Sequence, residues 1–184
     1  MKILKSLGFK EANTNSQEIF NAVKGKIGMV PNLYAAMSVS DKLLGGFLTF
    51  TETLKSGEFS SKEYEAIALA TSQANDCAYC LSAHTAIGKM NGFTEQDILD
   101  IRGNSIADSK LNALVTLASE LVNLKGHPTN TTADNFFEAG FNKAAFAEVI
   151  AIVALTTITN NVYHNGGFEI DFPKAQHLEQ SQDV

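Results

Sequence analysis

From Lys143 toward His164 the chain carries apolar side chains on most faces of a helical wheel, most densely in the first half of that stretch. A helix that is greasy all round has to be surrounded by other elements. This stretch therefore predicts a central buried helix with the rest of the chain wrapped about it. Ile152, Val153, Leu155 and Ile158 also fit a strand, but length and the interspersed alanines favour helix. The longest unbroken apolar run, Val149 to Leu155, is too short for a membrane span of about 20 residues.

The rest of the sequence reads as a succession of shorter helices with punctuation between them. Asn15 or Ser16 opens the first, which stops at Gly25 or Gly28, and Asn32 after Pro31 opens a second. A third runs from Asp41 to about Lys55, with Gly45-Gly46 inside it, a costly pair explained by close packing or a kink. Ser60 with Glu63, and Thr94 with Asp97, have capping-box spacing. A helix from about Ala78 to Met90 stops at Asn91-Gly92, and Asp108 or Ser109 opens a long one ending before Gly126-His127-Pro128. Thr131 or Thr132 starts the short helix before Gly140. The expectation is an all-α fold and one domain over 1–184, with a core of about 16–173 and a polar tail, 174–184.

The chain has 184 residues, enough for a core that needs no metal or disulfide staple. A net charge of −6, with no Lys/Arg cluster, argues against nucleic acid or an anionic membrane as partner. No signal peptide, Gly-rich phosphate loop or nicotinamide fingerprint is evident. Localisation is read as cytoplasmic. Phe136, Phe137, Phe141 and Phe146 form one aromatic group and Phe47, Phe50 and Phe59 another, more than a monomer is expected to hide.

The chemistry concentrates in Cys77-Ala78-Tyr79-Cys80-Leu81-Ser82-Ala83-His84, which holds both cysteines of the chain. A bridge between them would close a tiny loop and restrain little of the unfolded chain, so a structural role is a poor explanation. Cys77 and Cys80 fall at a helix start, where unsatisfied N–H groups favour the reactive thiolate. Their spacing lets the sulfurs meet across one turn. His84 follows Cys80 by four residues and shares its helix face. It wants a third polar group to orient it. Glu63 has a ready explanation as a cap, whereas Glu65 sits among Tyr64, Ala66, Ile67 and Ala68 and is expected to be buried and paired. Tyr79 either lines the approach or packs. His164 either lines a cavity or subunit contact, or complements the end of its helix. Two rival readings of the cysteines stay open: small buried hydrophobes, or zinc ligands with His84 and a fourth group from Asp76, His127 or His164.

Glu65, Cys77-Ala78-Tyr79-Cys80 and His84 in this spacing resemble the alkylhydroperoxidase AhpD-like family, within the carboxymuconolactone decarboxylase superfamily. Ile27-Gly28-Met29-Val30-Pro31-Asn32-Leu33-Tyr34 and Glu169-Ile170-Asp171-Phe172-Pro173 resemble the two ends of its longer, peroxidase-related members. The resemblance implies an AhpD-like helical fold with the dithiol at a helix N-terminus. It also implies homo-oligomers, from dimers to trimers and hexamers. It implies a thiol-dependent peroxidase acting on hydrogen peroxide or organic hydroperoxides, with no cofactor and no metal. Cys80 would be the peroxidatic nucleophile, Cys77 the resolving thiol, and Glu65 with His84 a proton relay. A lipoyl or thioredoxin-like dithiol would regenerate the enzyme. The superfamily's lactone decarboxylases lack the cysteine pair. One departure stands out: the well-studied peroxidases carry a histidine just before the second cysteine, where this chain has Tyr79. The rival functions are a protein disulfide reductase or redox sensor using the same dithiol, and a non-enzymatic helical oligomer with structural or zinc-binding cysteines.

Overall fold

The computed structural model describes residues 2–178. They form nine helices: α1 (Thr14–Ile27), α2 (Asn32–Met37), α3 (Asp41–Leu54), α4 (Ser61–Ala74), α5 (Ala78–Met90), α6 (Glu95–Arg102), α7 (Ser109–Asn123), α8 (Asn130–Glu138) and α9 (Lys143–His164). Among the described residues there is no sheet, only an isolated bridge between Leu4 and Gly166 that ties the N-terminal segment to the exit of α9. The all-α expectation holds.

Side chains set most of the helix starts. Ser60 and Thr94 each form the reciprocal capping box with Glu63 and Asp97. The starts of α1 and α8 fall a residue or two from where the sequence put them, while α3 starts at Asp41 as expected. Asn13 caps α1, Ser40 caps α3 and Thr129 caps α8, each accepting a backbone N–H with a side-chain oxygen. Asn32 is not a cap; it is the first residue of α2, preceded by Pro31. Of the glycine pair in α3, Gly45 meets Ile19 of α1 at ordinary contact distance, while Gly46 faces open space. Close packing accounts for the first glycine; nothing in the structure explains the second.

The centre of the molecule is α4 rather than α9. Every residue from Tyr64 to Ser72 is buried, and α5, α6, α7 and α9 all pack against this helix. Its alanines let neighbours approach on all sides. In contrast, α9 buries Val149, Ile152, Val153, Leu155 and Thr156 on one side while Ala147, Ile150, Ala154 and Ile158 stay exposed on the other. By length and composition α9 could cross a membrane, yet half of its most apolar window is buried inside this fold. Its apolar periodicity alone cannot tell a central helix from one with an uncovered outer stripe.

Most phenylalanines are accommodated within the chain. Phe136 is fully buried and stacks on Phe141 with ring centroids 4.5 Å apart, and Phe59 is buried beside it. Phe9, Phe50 and Phe137 remain exposed.

After α9 the chain runs as a C-terminal strap, residues 165–178, without regular structure. Gly167 N–H donates to Leu4 O at 2.8 Å. Ala175 N–H donates to Ser82 Oγ at 3.1 Å, and Arg102 Nη1 donates to Gln176 O at 2.7 Å. The described part of the expected tail is thus pinned to α5 and α6; residues 179–184 lie outside the described residues.

Candidate active site

Two helix ends meet at one residue. Asp76 follows α4 in the left-handed conformation, φ 52°, which lets its N–H reach Gln73 O at 3.0 Å and the Cys77 N–H reach Ser72 O at 2.9 Å. This is the Schellman arrangement, normally built on glycine; aspartate is among the few side chains that tolerate it. Cys77, which ends that motif, also caps α5: its Sγ accepts the N–H of Cys80 at 3.3 Å. No slack residue separates α4 from α5, so the cysteines are fixed relative to both helices.

Cys77 and Cys80 are joined as a disulfide, with Cα atoms 5.3 Å apart. Both are buried, and both sit at the N-terminal end of α5, where free N–H groups and the helix field would favour a thiolate once the bridge opens. Cys80 Sγ lies 3.8 Å from Thr159 Oγ1 on α9, a hydroxyl committed as donor to Thr156 O at 2.7 Å.

One turn further along α5, His84 Nδ1 meets Glu65 Oε2 of α4 at 2.7 Å. A carboxylate only accepts, so Nδ1 carries the hydrogen and Nε2 is left as the basic nitrogen. Glu65 is 4% exposed, and the His84 side chain is 19% exposed. Glu63, the other candidate, is spent on its cap. Two phenols feel the Glu65 charge. Burial, with Glu65 and then Glu52 adding to it, pushes the Tyr34 hydroxyl up to about 12, and Tyr64 is raised by burial and then by Glu65. Tyr34, packed edge-on against Phe47 at 6.0 Å, was not singled out as a site residue from the sequence. The only sequence signal for it was its place at the end of the Ile27–Tyr34 segment.

Tyr79 packs. It is 1% exposed, and its phenol donates to Asp171 Oδ1 at 2.6 Å. Burial first, then the Asp171 hydrogen bond, raises its hydroxyl far above the ordinary phenol range. His164 is exposed at the end of α9 and its Nε2 hydrogen-bonds the carbonyl of Asn75 at 2.8 Å, in the turn that leads to Cys77. That turn is also held from the side: Asn75 Nδ2 donates to the fully buried Asn160 at 2.8 Å. Among the described residues no group of three or more His, Cys, Asp or Glu side chains is placed to hold a metal ion.

The arrangement places a bonded cysteine pair at the start of α5 and, one turn further along that helix, an imidazole paired with a buried carboxylate. The sequence model of the carboxymuconolactone decarboxylase family matches residues 42–123, the segment from α3 through α7 that contains this site. No protein of curated function matches the sequence. In structure the chain resembles a peroxidase-related protein from Silicibacter sp. TM1040, with a TM-score of 0.77 and 23% identity over 91% of this chain and 92% of that one. A peroxidase-related protein with the alkylhydroperoxidase AhpD core, from Ralstonia eutropha JMP134, gives 0.79 and 20% over 93% and 94%. The debrominase Bmp8 in complex with 2,3,4-tribromopyrrole gives 0.78 and 17% over 93% and 92%. The family model thus covers the helices that carry the cysteine pair, and the solved structures show that the chain has an AhpD-like helical fold.

Proposed function

We propose that the protein is a thiol-dependent peroxidase that reduces hydrogen peroxide or organic hydroperoxides with the Cys77/Cys80 dithiol. The observation that carries this reading is the 2.7 Å pairing of His84 with buried Glu65 one turn from Cys80. Oriented by Glu65, His84 Nε2 takes the Cys80 thiol proton. The Cys80 thiolate attacks the distal peroxide oxygen and the O–O bond breaks. The leaving alkoxide or hydroxide takes a proton from His84, which gives an alcohol or water and a Cys80 sulfenic acid. Cys77 then attacks that sulfur, water leaves, and the disulfide closes. A dithiol reductant, lipoyl or thioredoxin-like, restores both thiols by exchange. We place this cycle in the cytoplasm, with the protein a homo-oligomer that covers Ile150 and Ile158 of α9.

The second reading, disulfide exchange or redox sensing, is favoured by the state of Tyr79. With its phenol bound to Asp171, no proton carrier stands between the cysteines, and a peroxidase relay rests on His84 alone.

The test is consumption of hydrogen peroxide and of an organic hydroperoxide with dithiothreitol, a lipoyl donor or thioredoxin, beside Cys80→Ser. Turnover lost in the variant supports the peroxidase. Turnover that survives Cys80→Ser overturns it. A reversible disulfide without peroxide turnover transfers the assignment to disulfide exchange. A halogenated pyrrole belongs in the same panel, because a debrominase shares the fold.

A further inference from the structure

Tyr79 occupies the place between the two cysteines but faces away from their chemistry. Its hydroxyl donates to Asp171 Oδ1 at 2.6 Å and accepts the Leu33 N–H at 3.2 Å. The second oxygen of Asp171 accepts the Asn32 N–H at 2.7 Å, and Asn32 Nδ2 donates to Glu169 O at 3.1 Å. Around the ring stand Tyr163 of α9 and Phe168 and Phe172 of the strap, with centroids 5.5, 5.6 and 5.7 Å away. The first turn of α5 is therefore bolted to the start of α2 and to the C-terminal strap through one side chain.

The strength of a disulfide within one turn depends on how well the turn holds one thiol against the other. A turn free to fray lowers the effective concentration of Cys77 at Cys80 and weakens the bridge. Asp171 is suited to prevent this, because its two oxygens satisfy two donors at once, the Tyr79 hydroxyl and the Asn32 N–H.

We infer that Tyr79 is a positioning residue of the dithiol: through Asp171, the C-terminal strap holds the first turn of α5 in the geometry that joins Cys77 to Cys80, and so sets the reduction potential of the pair. This rests on the dithiol being redox-active, as proposed above, but not on peroxide being its substrate.

The experiment equilibrates the full chain with mixtures of reduced and oxidised dithiothreitol and reads the disulfide fraction by alkylation and mass. Tyr79→Phe removes the hydroxyl. Asp171→Asn keeps the shape but offers one carbonyl oxygen to two donors, and it serves where the first variant loses its helical circular dichroism. Each single variant, and the double variant to the same extent, weakens the disulfide about tenfold, equivalent to roughly 30 mV for a two-electron couple. Equilibrium constants within about twofold of the parent in folded variants overturn the inference. A parent that shows a reversible couple but no peroxide turnover removes the peroxidase reading and leaves the inference standing. A parent with no reversible couple removes both.

Discussion

His84 of α5 and Glu65 of α4 meet at 2.7 Å, although nineteen positions separate them in the chain. Their helices are joined by a turn with no spare residue, so this pair and the disulfide are parts of one rigid corner. Replacing Glu65 by Gln keeps the shape but removes the charge that orients and supports the imidazole. The expected outcome is a fall of roughly 10²-fold in the single-turnover rate of Cys80 oxidation by peroxide, measured by stopped flow, with the disulfide still able to form.

The two cysteines are expected to behave differently when removed one at a time. Cys80→Ser abolishes peroxide turnover. Cys77→Ser still reacts once and holds the product as a sulfenic acid, trapped by a dimedone-type reagent and read by mass. If the labelled sulfur turned up in Cys80→Ser instead, the two roles would have to be exchanged.

Asp76 holds the corner in a backbone region that β-branched side chains avoid. Asp76→Val is expected to cost about 1–2 kcal/mol of stability, while Asp76→Gly keeps the parent's stability or gains slightly. Urea unfolding of the three proteins decides this. A valine variant as stable as the parent would mean that the turn relaxes to another conformation.

Alkaline pH is expected to unfold the protein through its tyrosines. Tyr34 has its folded value pushed up from 10.0 to about 12, and Tyr64 and Tyr79 are also raised, each first by burial. A group that resists ionisation in the folded state contributes stability that is complete below about pH 10 and declines as pH rises toward the folded value. Chemical denaturation from pH 8 upward should show a level region and then a fall that begins near pH 10. Ultraviolet titration should show these phenols ionising together with the loss of structure. Smooth ionisation of all four tyrosines near pH 10 in folded protein would contradict the burial of Tyr79.

Local chemistry accounts for what was legible in the residues. Helical periodicity and caps such as Ser60 with Glu63 define elements from neighbours a few positions away, and these survive into the structure because no distant contact competes with them. The dithiol's place at a helix start is equally local, since Cys77, Cys80 and His84 lie on a single helix. Even the choice of Glu65 over Glu63 follows from flanking residues, because a carboxylate among Tyr64, Ala66, Ile67 and Ala68 needs a partner where it is buried. Three matters had no local signal. Apolar spacing made α9 look central, but centrality depends on which helices pack where, and the small side chains of α4 took that position. Tyr79 could face the cysteines or turn away until Asp171, far along the chain, supplied its acceptor. Tyr34 came under the influence of Glu65 only when α2 packed against the dithiol corner. The sequence by itself determined the helices and the reactive turn, because those rest on contacts within a few residues. Only the tertiary structure decided which helix is enclosed and how the dithiol is held, because burial and hydrogen-bond partners are properties of the packed chain.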